Sequence, residues 1–147
     1  MISKTKKPNF KAKARARRFA MQAIYQWQLA QHSLSEIEKQ FLSQEEMVSV
    51  DTGYFKILVR GVMEHHTSLD KELEPFLDRP LIELGPVELS ILRLAAYELC
   101  KLPELPYKVV LNEAIVLAKS FAAIDSYKYI NGVLHQLAKK LRSLEFH

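Results

Sequence analysis

Four cations, Lys13, Arg15, Arg17 and Arg18, fall within six residues of a chain whose other chemistry is sparse. They run without a break into Phe19, Ala20, Ala23, Ile24, Trp27 and Ala30. With Ala16, these apolar positions recur at steps of three and four and so line one face of a helix. The pattern predicts a first helix over about residues 13–30, with the cations at or before its opening turn. That end of a helix carries partial positive charge and unpaired N–H groups, so each cation there is unfavourable by about 0.3 kcal/mol. A phosphate, meeting both the side chains and the N–H groups, would offset this. The arrangement points to a nucleic-acid backbone, although a solvated basic tail explains the four residues alone equally well. Rings supply the second chemistry. Tyr25 lies two turns beyond Arg17 and Arg18, off the Trp27 face, and Phe121 and Tyr129 flank the predicted turn between the last two helices. Rings beside cations suit unpaired bases, which stack on aromatic faces; for Phe121 and Tyr129 the alternative is packing in the core.

Other chemistries find no set of residues. The four glycines are scattered singly, which leaves no phosphate-cradling loop. With one cysteine, and with His65 and His66 adjacent rather than a turn apart, there is no zinc spacing. His66 falls in an apolar stripe and reads as a packed histidine. No Ser/His/Asp set is recognisable, and Glu45–Glu46 reads as solvated surface. The expectation is a binding protein with no metal, no cofactor and no catalytic residue.

Charge is unevenly placed. Residues 1–20 hold eight Lys/Arg and no acid, while the remainder holds thirteen bases against seventeen acids. A basic patch on an acidic body suggests a specific polyanion site. The lone Cys100, with Leu99 and Leu102 as neighbours, reads as a buried thiol in a reducing cytoplasm. The start has charge but no apolar core, so it is not a secretory signal. It is basic and acid-poor like a mitochondrial leader, but it runs straight into a core-facing helix, which argues against removal. No apolar run approaches the roughly 20 residues of a membrane span.

The elements that must position these groups are all helical. At 147 residues the chain suits one domain or two small halves sharing a core. Residues 1–12, with Pro8 and Asn9 as breakers, read as a flexible basic leader. Residues 13–79 form one helical half and 80–147 the other. Ser33 and Glu36 have capping-box spacing before a short helix ending near 42, and 43–50 reads as a loop. Asp51 or Thr52 caps a third helix, striped from Phe55 to Phe76, with a break expected near Thr67–Asp70 and Ser68 or Asp70 restarting the helix. Pro80–Pro86 is a turn whose Leu81, Ile82 and Leu84 imply packing, and Pro86 suits a first helical position. The helix after it is apolar nearly all round, as a buried central helix is. Residues 107–122 form a further helix. Asp125 or Ser126 caps the last, which is faced by Ile130, Val133, Leu134, Leu137 and Leu141. Gly132, inside that face, reads as a point of close helix packing.

Assembled in order, several stretches resemble the NusB family of transcription antitermination factors from Lys13 to about Leu141. They are Met21–Gln28 after the basic start, Tyr54-Phe55 with Gly61-Val62, and Glu83–Glu88 with Ile91–Arg93 and Tyr97–Leu99. Pro106–Ala114, Leu117–Phe121 and Asn131–Leu134 complete the set. The resemblance implies an all-α, seven-helix bundle of two subdomains, about three plus four helices, sharing a core. It implies a non-enzymatic factor that pairs with the small-subunit ribosomal protein NusE. The pair binds the single-stranded boxA element of nascent ribosomal RNA and, within the RNA polymerase antitermination complex, helps polymerase pass terminators. Carried over by position, the RNA-binding residues are Lys13, Arg15, Arg17, Arg18, Tyr25, Phe121, Asp125 and Tyr129, and the NusE-facing residue is Glu88. The resemblance leaves open a homodimer of the free protein. Tyr129 stands where the family usually has Phe, which preserves stacking. His135 stands where an acid is common, and nothing in the sequence accounts for it. The competing expectations are a non-catalytic module related to the leading domain of RNA cytosine methyltransferases, without their Gly-rich cofactor motif, and a protein-only scaffold with an incidental basic tail.

Overall fold

The computed structural model describes residues 9–146. Six α-helices appear among them: α1 (Phe10–Ala30), α2 (Leu34–Leu42), α3 (Thr52–Leu73), α4 (Pro86–Lys101), α5 (Tyr107–Phe121) and α6 (Ser126–Leu141). Four short 3-10 turns intervene or follow, at Glu45–Ser49, Glu74–Phe76, Leu81–Glu83 and Ser143–Glu145. The bundle is all-α as expected, with six helices rather than seven. The central helix is α4, packed against α1, α3, α5 and α6. Its residues Ser90–Ala96 are all buried, which is why it reads as apolar all round. One continuous core runs from Ala16 in α1 to Ala138 in α6, across both halves of the chain.

Local signals explain most boundaries. The Ser33 hydroxyl accepts from the Glu36 N–H at 3.1 Å while the Glu36 carboxylate accepts from the Ser33 N–H at 2.9 Å, a complete capping box for α2. Asp51 caps α3 by accepting from the Tyr54 N–H at 3.0 Å. Pro86 opens α4.

Five expectations need correction. First, α1 starts at Phe10, not near 13, because the Asn9 side chain accepts from the Ala12 N–H at 2.9 Å and forms its N-cap. The leader expected over 1–12 is therefore helical from Phe10, and residues 1–8 lie outside the described residues. Second, α3 does not break at Thr67–Asp70. The Ser68 hydroxyl donates within the helix to the His65 carbonyl, and Asp70 holds Arg93 instead of starting a new helix. Third, Gly132 is exposed, with nothing within 4 Å of where a Cβ would stand. The close approach is at Gly61, where a Cβ would come within 2.2 Å of the Tyr97 ring. Fourth, Ile82 is 90% exposed, although Leu84 beside it is buried. Fifth, Cys100 is half-buried rather than buried.

Polar side chains join the two halves. Arg93 on α4 holds both carboxylate oxygens of Asp70 on α3, at 2.9 and 2.8 Å, and donates to the Gln28 amide oxygen of α1 at 3.1 Å. Trp27 packs edge-on against His66, as the stripe predicts. At the other end Arg142 is buried and donates to the carbonyls of Glu98, Leu99, Leu102 and Leu105, closing the C-terminal end of α4. The tail then folds back: the Glu145 carboxylate accepts from the Tyr107 N–H at 3.0 Å, and Phe146 stacks on Tyr107. His135 lies edge-on to Phe146, which gives it a packing role.

Candidate nucleic-acid interface

Within α1, Lys13, Arg15, Arg17 and Arg18 part company. With Asn9 as N-cap, Lys13 to Arg18 lie beyond the opening turn, so unpaired N–H groups do not explain their positions. Arg17 is only 4% exposed. Its Nε donates to Glu98 of α4 at 2.8 Å, and its guanidinium lies 3.7 Å from the Glu113 carboxylate of α5. The Tyr54 hydroxyl donates to the same Glu98 oxygen. Burial opposes the charge on Arg17, but Glu98, with Tyr54 and Glu113, outweighs it and raises the Arg17 pKa above its ordinary value. Burial pushes the Glu98 carboxyl upward, against the pull of Arg17 and the Tyr54 hydroxyl. Every strong partner of Arg17 is internal, so the structure places it in a core ion pair and apart from the exposed cations. The signal was present in the spacing: Arg17, Met21 and Ile24 share a face at steps of four and three, and both apolar members are buried.

Lys13 is half-engaged. Its Nζ lies 3.0 Å from Asp51 and sits over the Tyr54 ring, tying α1 to the start of α3. The backbone hydrogen bond with the Tyr54 N–H, ahead of the Lys13 contact, holds the Asp51 carboxyl below the usual aspartate range.

Arg15 and Arg18 are exposed. Arg15 reaches the Ser49 carbonyl at 3.4 Å, and both arginines line a cleft between α1 and the Glu45–Ser49 turn. Arg18 also lies 5.4 Å from the centre of the Phe121 ring. Phe121 and Tyr25 together line the adjoining apolar cleft of about 600 Å³, floored by Met21, Leu29, Phe41 and Val87. The fold thus brings together Arg15, Arg18, Tyr25 and Phe121 from α1 and α5.

The remaining residues sit around this nucleus. Asp125 occupies the N-cap position of α6 in the left-handed region, φ 69°, but its side chain makes no capping bond; it lies exposed, 3.6 Å from Lys128. Tyr129 is half-buried. Its hydroxyl accepts from the Asp78 N–H at 3.3 Å, and one ring face is covered by the Arg79 guanidinium at 4.8 Å. Sequence reasoning missed Arg79, whose approach to Tyr129 is set by the turn before Pro80. Glu88 accepts from the Gly85 N–H at 3.3 Å and so stabilises the start of α4. Its neighbour Val87 lines the ring-bearing cleft.

Exposed guanidinium groups next to an open, ring-lined cleft are groups suited to phosphates and to the faces of unpaired bases. Comparison with known proteins narrows the class. Residues 14–139 match the NusB family. The transcription antitermination protein NusB of Idiomarina loihiensis is 55% identical over 131 residues, 89% of this chain and 94% of that protein. That of Alcanivorax borkumensis is 52% identical over 134 residues, 91% of this chain and 89% of that one. Among solved structures, T. maritima NusB superimposes with a TM-score of 0.80 at 27% identity, covering 97% of this chain and 99% of that one. A crystal structure of the antitermination factors NusB and NusE in complex with dsRNA gives 0.76 at 26% identity, covering 90% and 99%. The chain belongs to the NusB family of transcription antitermination proteins, which are not enzymes. No helix among the described residues is long and apolar enough to cross a membrane.

Proposed function

We propose that this protein binds the single-stranded boxA element of nascent RNA together with NusE, in the cytoplasm, and so helps RNA polymerase read through terminators. The observation that carries the reading is the continuity of Arg15 and Arg18 with Tyr25 and Phe121. Guanidinium groups meet the phosphates and supply salt-dependent affinity. The rings stack on splayed bases, which is available only to unpaired strands. Lys13 adds to the cationic rim beyond its contact with Asp51. Asp125, exposed at the α5–α6 turn four residues beyond Phe121, and Tyr129, one turn further on, are further contacts for the strand in this reading. Glu88, next in sequence to the cleft-lining Val87 at the start of α4, is the residue expected to face NusE.

The test is titration of boxA RNA with the protein and NusE, against RNA of the same composition in scrambled order. The wild type is expected to prefer boxA. Tyr25→Ala and Phe121→Ala are each expected to weaken binding by about 1–3 kcal/mol. A wild type that binds both RNAs alike, or ring variants that bind as the wild type does, would overturn this reading.

A further inference from the structure

Arginine–phosphate contacts carry no sequence information, and stacking on rings accepts any base. A site built only from Arg15, Arg18, Tyr25 and Phe121 would therefore hold a strand without reading it. The cleft holds a further set of groups. Four glutamines border it: Gln22 and Gln26 from α1, Gln40 from α2 and Gln44 just beyond α2. Gln26 and Gln40 satisfy one another, with amide contacts of 2.8 and 3.2 Å, and Gln26 also meets His32 at 3.2 Å. Gln22 and Gln44 differ. Both are half-buried, yet their side-chain amides have no hydrogen-bond partner among the described residues.

Their place is the second observation. Gln22 and Gln44 alone line both the ring-bearing cleft and the arginine-bearing cleft next to it. They stand between the groups suited to base faces and those suited to phosphates. An amide offers a donor and an acceptor side by side, and the edge of an unpaired base offers the matching pair. No buried side-chain N or O atom among the described residues lacks a partner, so both amides face the solvent of the cleft, and base edges at this position would take the place of water.

We propose that Gln22 and Gln44 are the base-reading residues of this cleft and set the sequence preference of the bound strand. The inference rests on the RNA-binding reading above and deepens it.

The experiment compares wild type with Gln22→Ala/Gln44→Ala, each with NusE, on boxA RNA and on the scrambled RNA, over a range of salt. The double variant is expected to bind boxA about tenfold or more weakly, while its affinity for scrambled RNA and its salt dependence stay at wild-type values. Gln22→Glu/Gln44→Glu, which replaces donors by acceptors in the same shape, is expected to change which single-base substitutions in boxA are tolerated. A double alanine variant that discriminates between the RNAs as well as wild type overturns the role of the glutamines and leaves the RNA-binding reading standing. A variant that weakens on both RNAs equally overturns it too, since the residues would then contribute affinity without selectivity. A wild type that binds neither RNA removes the underlying reading as well.

Discussion

Arg17 and Arg18 are neighbours on one helix and opposites in environment. On the α1–α4 seam the guanidinium is enclosed, with Glu98, Glu113 and Tyr54 around it. On the α1–α5 side the same residue type is exposed above the Phe121 ring. The difference teaches that a run of cations is not one functional unit. A rotation of about 100° per residue sends successive side chains to the core and to solvent. Burial then decides: an enclosed guanidinium must have its counter-charge built in, whereas an exposed one remains available to an outside anion.

The contrast can be broken most forcefully at Arg17. Arg17→Ala leaves the buried Glu98 carboxyl without its main partner, so urea unfolding is expected to show a loss of about 3–5 kcal/mol. The glycines carry the same distinction between closed and open positions. Gly61→Ala drives a methyl into the Tyr97 ring and should destabilise by about 1–3 kcal/mol. Gly132→Ala, in open space within α6, should stabilise by about 0.5–1 kcal/mol; thermal melting of the two variants checks both signs. Asp51 sharpens the boundary between the regions, because it caps α3 and holds Lys13. Its carboxyl is held below the usual aspartate range, so its contribution is complete above that range and is lost as pH falls through the lower folded value. Asp51→Asn is thus expected to lose less stability than wild type between about pH 5 and pH 3, by under about 1 kcal/mol for so solvent-screened a pair. Smallest in stability is Arg15→Ala/Arg18→Ala, expected to unfold within about 0.5 kcal/mol of wild type. The same variant should show an RNA-binding salt slope smaller by about 1.4, for two lost phosphate contacts on a single strand. A melting temperature well below wild type would show that these two arginines are structural as well.

Sequence reading succeeded where the cause was local. The Ser33–Glu36 box, Pro86 at the start of α4 and the apolar girth of that helix are short-range properties, and the folded chain keeps them. It went astray where the cause was distant. Arg17 reads as one of a run with its neighbours because Glu98 lies 81 residues away. The break expected in α3 assumed that Asp70 served its own backbone, whereas it serves Arg93 across the core. Gly132 and Gly61 look alike in sequence, and only the position of Tyr97 tells them apart. The start of α1 is the exception: Asn9 is a good capping residue in plain view, and weighing it only as a breaker misplaced the helix by a turn. Within the cleft, Tyr25 and Phe121 were legible as rings beside cations, but their meeting across α1 and α5 depends on packing that no spacing encodes.

The grip of Arg93 on Asp70 and Gln28 bears on how the protein can be taken apart. A cut in the turn near Pro80 would leave Asp70 and Gln28 on one fragment and Arg93 on the other, and would part Arg17 from Glu98 in the same stroke. Each piece would carry an orphaned charge on the apolar surface it had just exposed. Neither fragment is then a self-sufficient folding unit, and the intact chain should melt in one cooperative step.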